Sequence, residues 1–136
     1  FYPGDTLLEQ ELEQKAASLN LSYDFGPFVV RSITGHVDYQ VFRNADNDFT
    51  SAARNVDAQE DKLTAISQEV QVASNGEGRL SWILGYFYFN EDIDYSIFSS
   101  CPSGARNTPG CAFAAGFPET TSNAFFGEAS WWAVPD

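Results

Sequence analysis

The chain has 136 residues, enough for one ordinary domain, and combines 15% aromatic side chains with only 7 Lys+Arg against 19 Asp+Glu. Its formal net charge of -12 excludes electrostatic binding to nucleic-acid phosphates, which needs clustered cations to release counterions. Grouped apolar runs exclude a disordered chain, and no stretch has the order of a signal peptide or the ~20 apolar residues of a spanning helix. The sequence opens on Phe1-Tyr2-Pro3, contains no Met and closes on a strand-like run cut at Val134-Pro135. Neither end reads as a natural terminus, so an internal piece of a longer protein is expected.

The first 17 residues place Leu7, Leu8, Leu12 and Ala16 among Glu, Gln and Lys. They predict either a loop or a short amphipathic helix, the loop being the preferred reading. From Ser18 to Phe25 the pattern is period two: Leu19, Leu21, Tyr23 and Phe25 alternate with Ser18, Asn20, Ser22 and Asp24. Successive strand side chains point to opposite faces, so this is a strand with one apolar face. Asp24-Phe25-Gly26-Pro27 supplies turn residues. In the next run Val29, Ile33, Val37, Tyr39 and Val41 are expected to form the apolar face, opposite Ser32, Thr34, His36, Asp38 and Gln40. Arg31 falls on that apolar face near the turn, where a long cationic side chain can reach a membrane interface.

Residues 43–62 turn polar and acidic and predict a long loop. A third strand follows, with Ile66, Gln68, Val70 and Val72 against Ala65, Ser67, Glu69, Gln71 and Ala73. Asn75-Gly76-Glu77-Gly78 is a hairpin-like connection. The run from Leu80 to Phe89 is strongly β-prone, placing Leu80, Trp82, Leu84, Tyr86 and Tyr88 on one face. A second long loop is expected over 99–122, then a fifth strand near 123–133 with Phe125, Gly127, Ala129 and Trp131 opposite Phe126, Glu128 and Ser130. Cys101 and Cys111 bracket a segment rich in Pro, Gly, Ser and Asn. Their spacing in an exported loop favours a disulfide over free thiols, and no second Cys or His pair accompanies them to suggest metal.

The fold class expected is all-β, an antiparallel up-and-down meander of about five strands. Connections alternate tight, long, tight, long, as in outer-membrane barrels with short periplasmic turns and long extracellular loops. On that reading the apolar rows face lipid and the polar rows an enclosed lumen, with Trp131 and Trp132 in an interfacial aromatic girdle. Five strands cannot span a bilayer alone, because an open edge leaves backbone groups unpaired in hydrocarbon.

Four stretches carry a resemblance, in order: Ser32-Ile33-Thr34-Gly35, Asp46-x-Asp48, Ser67-Gln68-Glu69-Val70-Gln71-Val72, and Trp82-x-x-Gly85-x-Phe87-Tyr88-Phe89, with Phe126-Gly127-Glu128 a weaker addition. Residues 18–132 resemble the barrel domain of TonB-dependent receptors, which implies a handful of strands from a barrel of about 22. The resemblance implies a Gram-negative outer-membrane location and import of a scarce nutrient, most often a ferric chelate. It also implies four partners: outer-membrane lipid, the remaining barrel strands and plug of the parent chain, TonB acting through that parent, and the small-molecule ligand. The plug, the energy-coupling box and the C-terminal signature strand are not among these 136 residues. A passive porin and a soluble secreted β-sheet binding module are the alternatives.

No catalytic centre, metal site or cofactor is expected. His36, the sole histidine, is read as a structural lumen residue, and Glu69 and Glu128 sit on inferred lumen faces without pairing as acid and base. Asn44-x-Asp46-x-Asp48 fails as a calcium loop, with Phe49 where Gly is needed and Asn55 where the bidentate Glu belongs. Asn20-Leu21-Ser22 matches a glycosylation sequon inside a strand, where it carries no information. Candidate ligand contacts are Arg43, Asp46, Asp48 and Arg106 on the long loops, because binding residues concentrate on loops held by rigid scaffolds. A disulfide between Cys101 and Cys111 would restrain Arg106 and lower the ordering cost of binding.

Overall fold

Alternating and aromatic-rich runs of this kind favour extended backbone, and the computed structural model of the chain is all-β. It describes residues 9–46, 56–76, 78–101 and 112–133. The strands are β1 (Glu9–Asp24), β2 (Phe28–Asp46), β3 (Val56–Ser74), β4 (Leu80–Cys101), β5 (Ala112–Gly116) and β6 (Glu119–Trp131). They form one antiparallel meander in the order β1-β2-β3-β4-β5, with β6 also paired to β4. The pairing path does not return to β1, so the sheet is not closed.

The strands are longer than the alternation in sequence indicates. β1 begins at Glu9, so residues 9–17 are strand and not the loop or helix expected for 1–17. β2 runs to Asp46 and β3 starts at Val56, and β4 extends to Cys101 while β5 and β6 occupy 112–116 and 119–131. Both long loops, expected at 43–62 and 99–122, therefore shrink. The reason is that a β ladder is built from backbone hydrogen bonds, which do not require an apolar face. Where both faces are wet, polar side chains pair across the strands instead, as Gln40 with Glu60 and Arg43 with Asp61 do here.

The chain divides into two compact units. The first comprises 1–15, 38–64 and 92–119, and the second 16–37, 65–91 and 120–136. In the second unit the strand segments are Ala16–Asp24, Phe28–Val37, Ala65–Ser74, Leu80–Glu91 and Thr120–Trp131, nine to twelve residues each.

Tight turns meet at one end of this second unit. At the first, Gly26 adopts φ +93°, its N–H donates to Asp24 Oδ1 at 2.7 Å, and the Phe25 N–H donates to the Phe28 carbonyl at 3.0 Å. A glycine with positive φ at the first central position suits a two-residue hairpin loop. Asn75 ties the second turn to the first, its N–H donating to the Pro27 carbonyl at 3.0 Å and its Nδ2 to Asp24 Oδ2 at 2.8 Å. The Trp132 N–H donates to the Arg79 carbonyl at 2.8 Å, bringing the end of β6 to the same place.

Two-residue turning places Phe25 opposite Phe28, so odd positions of β1 share a face with even positions of β2. Phe25 stacks on Phe28 at 5.1 Å between ring centroids, and Leu21, Tyr23 and Phe25 line one hollow with Val30 and Ser32. This overturns the expected phase of β2. Its valine row lies on the face opposite the Leu19-Leu21-Tyr23 row, and Ser32 and Thr34 lie on the same face as that row. β3 follows suit, because Thr34 and Ser32 both bond Gln68.

On β4 and β6 the expected sides hold. Tyr86 packs on Phe125 at 4.9 Å, and a Cβ on Gly127 would meet Leu84. On the opposite face the Phe126 ring covers Gly85. In the first unit β4 and β5 pair Tyr95 with Gly116 and Phe98 with Phe113. Phe117-Pro118 then interrupts the strand before β6, and the Ile93 N–H donates to the Pro118 carbonyl at 3.0 Å.

Candidate functional surfaces

Hydrophobic side chains of this chain are spread on surfaces and not gathered inside. Among the described residues only Val41 (1% exposed) and Ala58 (4%) are buried apolar residues, against seventeen exposed large ones. In the second unit the exposed set is sorted by face. Leu19, Leu21 and Tyr23 of β1 with Phe25 just after it, Ile66 and Val70 of β3, Leu80 and Leu84 of β4, and Phe125 and Trp131 of β6 stand on one side. Ile33 and Phe126 are the large exposed side chains of its strands on the other. Phe125, 85% exposed, and Trp131, 72%, mark how little the protein itself covers this surface. Apart from Phe126, the opposite face is mainly polar in β1, β3 and β6: Ser18, Asn20 and Ser22, then Ser67, Glu69 and Gln71, then Ser122, Glu128 and Ser130.

One polar island sits within the apolar face. Thr34 Oγ1 donates to Gln68 Oε1 at 2.6 Å, and Gln68 Nε2 donates to Ser32 Oγ at 3.0 Å and to the Glu69 carbonyl at 3.1 Å. The amide thus uses its acceptor and both directions of its donor group locally, which lowers the cost of placing it among apolar neighbours. His36 lies in the same row of β2 as Ser32 and Thr34, on the apolar side of the unit, and not on the lumen-type face assigned from sequence.

The first unit carries charge instead. Thr64 Oγ1 donates to Asp38 Oδ1 at 3.1 Å, and Gln40 Nε2 donates to Glu60 Oε1 at 3.3 Å. Lys62 Nζ lies 3.2 Å from Glu60 Oε1, and Lys15 Nζ lies 2.7 Å from Glu13 Oε1. The hydrogen bond and charge of Glu13 hold the Lys15 ammonium above the usual lysine range, with a further contribution from Asp38.

Of the sequence candidates, Arg43 is described in full. It stands on β2, not in a loop, with Nη2 3.3 Å from Asp61 Oδ2. Gln59 Nε2 donates to both Asp61 oxygens, at 3.0 and 2.8 Å. The guanidinium is therefore engaged in a local ion pair, and Asp61 and Gln59 are the partners that sequence reading missed, hidden inside the expected loop. Asp46 closes β2 and Cys101 closes β4, their side chains outside the described set, while Asp48, Arg106 and Cys111 lie outside the described residues altogether. The ligand contacts assigned to Asp46, Asp48 and Arg106 and the disulfide between Cys101 and Cys111 accordingly have no geometry here. Asn44 Oδ1, next to Arg43, is buried without a hydrogen-bond partner.

Among the described residues no group of three or more His, Cys, Asp or Glu side chains is arranged to hold a metal ion. No described helix is long and apolar enough to cross a membrane, which leaves spanning by strands untouched. No protein-family model matches this chain, and no curated protein matches it either.

Proposed function

We propose that this chain is a wall segment of an outer-membrane active transporter, a TonB-dependent receptor that imports a ferric chelate or a comparable scarce nutrient. The observation that carries the reading is the near absence of an interior among the described residues: seventeen large apolar side chains exposed, two small ones buried. At roughly 25 cal/mol per Å² of apolar surface, such a sheet is untenable in water, whereas acyl chains solvate it without penalty. Segment length supports the same reading, since nine to twelve residues per strand in the apolar unit match the ~9–11 that cross a hydrocarbon core. Exposed Tyr23, Phe25, Trp131 and Trp132 beside the tight turns suit an interfacial aromatic girdle on the periplasmic side.

In this reading the polar pairs of the charged unit stand in water. The Arg43–Asp61–Gln59 cluster stiffens a hairpin there, and ligand capture falls to the connections beyond β2 and β4. Strands completing the barrel, the plug and the TonB contact come from the parent chain. The soluble binding module requires a packed core, and nothing in the burial pattern favours it.

Two measurements test the reading. Spin labels placed singly along β1 of the intact gene product in bilayers should report oxygen access at positions 19, 21 and 23, and access to a water-soluble nickel chelate at 18, 20 and 22. Disrupting the gene should abolish energy-dependent accumulation of a radiolabelled ferric chelate. Uniform water access along β1 sinks the membrane assignment. Undiminished uptake across a panel of iron and other scarce-nutrient chelates sinks the transport assignment alone.

A further inference from the structure

β1 lies at the end of the pairing path, so one of its edges meets no strand among the described residues. Every second residue of such an edge turns its backbone N–H and C=O outward, and all sixteen residues of β1 are exposed. Within the first unit this edge runs from Glu9 to Lys15, and Glu9, Glu11, Glu13 and Lys15 share one face of the strand. Glu13 is paired with Lys15 at 2.7 Å. Glu9 and Glu11 differ. Glu13 and Lys15 share a hollow with Gln40 and Asp38, so in the antiparallel ladder the next positions of β2 on that face, beside Glu11 and Glu9, are Phe42 and Asn44. Neither carries a positive charge. The other described cations of this unit are engaged elsewhere, Arg43 by Asp61 and Lys62 by Glu60.

We propose that this stretch of β1 pairs with a strand presenting lysine or arginine at two alternate positions, opposite Glu9 and Glu11, and that this strand precedes β1 in the parent chain. The source of the strand rests on the wall-segment reading above. Cross-strand neighbours of like charge destabilise a ladder and opposite charges support it, so the two glutamates select a basic partner. The parent chain is favoured by the topology, because β1 to β5 each pair with the strand next in sequence, and the same meander continued backward puts the preceding strand on this edge. A second copy of this chain is disfavoured by charge. It brings three glutamates and one lysine over the same stretch, so self-pairing centred there sets glutamate opposite glutamate.

The test places photoreactive benzoylphenylalanine at position 11 of the intact gene product in lipid bilayers and identifies the captured segment by peptide mass spectrometry. Capture within the same chain is expected, of a segment upstream of β1 with Lys or Arg at two alternate positions. Glu9→Lys with Glu11→Lys should lower the folded-to-unfolded ratio about tenfold at the wild-type urea midpoint, and replacing the two captured cations with Glu should recover most of that loss, a non-additivity that a purely local effect on β1 would not produce. Heat-modifiable gel mobility reports whether each variant is folded, and if the charge-reversed protein does not fold the captured sequence alone decides. Capture of a segment without those cations, capture between two chains, capture of β2 alone, or no recovery in the folded charge-swapped protein overturns the proposal. Failure of the wild-type protein to insert into bilayers sinks the membrane reading itself, whereas insertion with a different segment captured sinks the basic partner strand alone.

Discussion

Gly85 shows how closely a single position is tied to its cross-strand neighbour. Phe126 lies over it, so a Cβ there would fall within the ring. Gly85→Ala is expected to destabilise the folded protein by about 1–3 kcal/mol through overpacking, read from urea unfolding in detergent micelles. Adding Phe126→Ala should recover part of that loss, a non-additivity that an effect on strand propensity would not produce. At Lys15 the expectation concerns pH. Its ammonium is held above the ordinary lysine value of 10.5 by Glu13, so any contribution to stability is complete below that value and disappears as pH climbs through the raised one. Titration of the Lys15 side chain by NMR in wild type and Glu13→Gln should show the upward displacement vanish in the variant, and raised salt should shrink it, since the pair is exposed.

Strands set which of these residues share a face, and here the two hairpin partners disagree with intuition. The Leu19 row and the valine row of β2 each alternate cleanly, which is why both strands were legible in the sequence. Their relative phase was not, because it depends on how many residues the turn consumes and not on either pattern. The extra length of β2 and β3 was hidden for a different reason: Gln40, Arg43, Glu60 and Asp61 pair by side-chain polarity across the ladder, which leaves no apolar period to count. Arg43 stood out in the sequence as a loop ligand contact, but its place on β2 and its partner Asp61 did not, and Asp48 and Arg106 fall outside the described residues. Two outcomes follow for the strands. On the proposed membrane reading Leu19→Arg should cost about 2–4 kcal/mol in lipid-vesicle folding titrations, and Asn20→Arg much less, since that reading puts only the first in hydrocarbon. On β2 the same reading expects labels at Thr34 to report lipid and labels at Ile33 water, the reverse of what its alternation suggests when read alone.

For the whole sheet, the decisive property is that its pairing path ends at β1 on one side and at β5 and β6 on the other. All sixteen residues of β1 are exposed, so an edge of that length offers unpaired N–H and C=O groups to any available strand. The 136-residue chain on its own, refolded into aqueous buffer, should therefore sediment as heterogeneous oligomers in analytical ultracentrifugation. A monodisperse monomer that unfolds in one cooperative step would show that the apolar face has found cover within the chain, and the importer reading would fall with it.

The loop formed by Gly26 and Pro27 acts as a parity device. Because two residues separate Phe25 from Phe28, lengthening or shortening the loop by one would exchange the sides of β2 and present Val29, Val37 and Val41 where Ser32 and Thr34 now stand. Only a change of even length leaves the sides of the nineteen residues of β2 as they are.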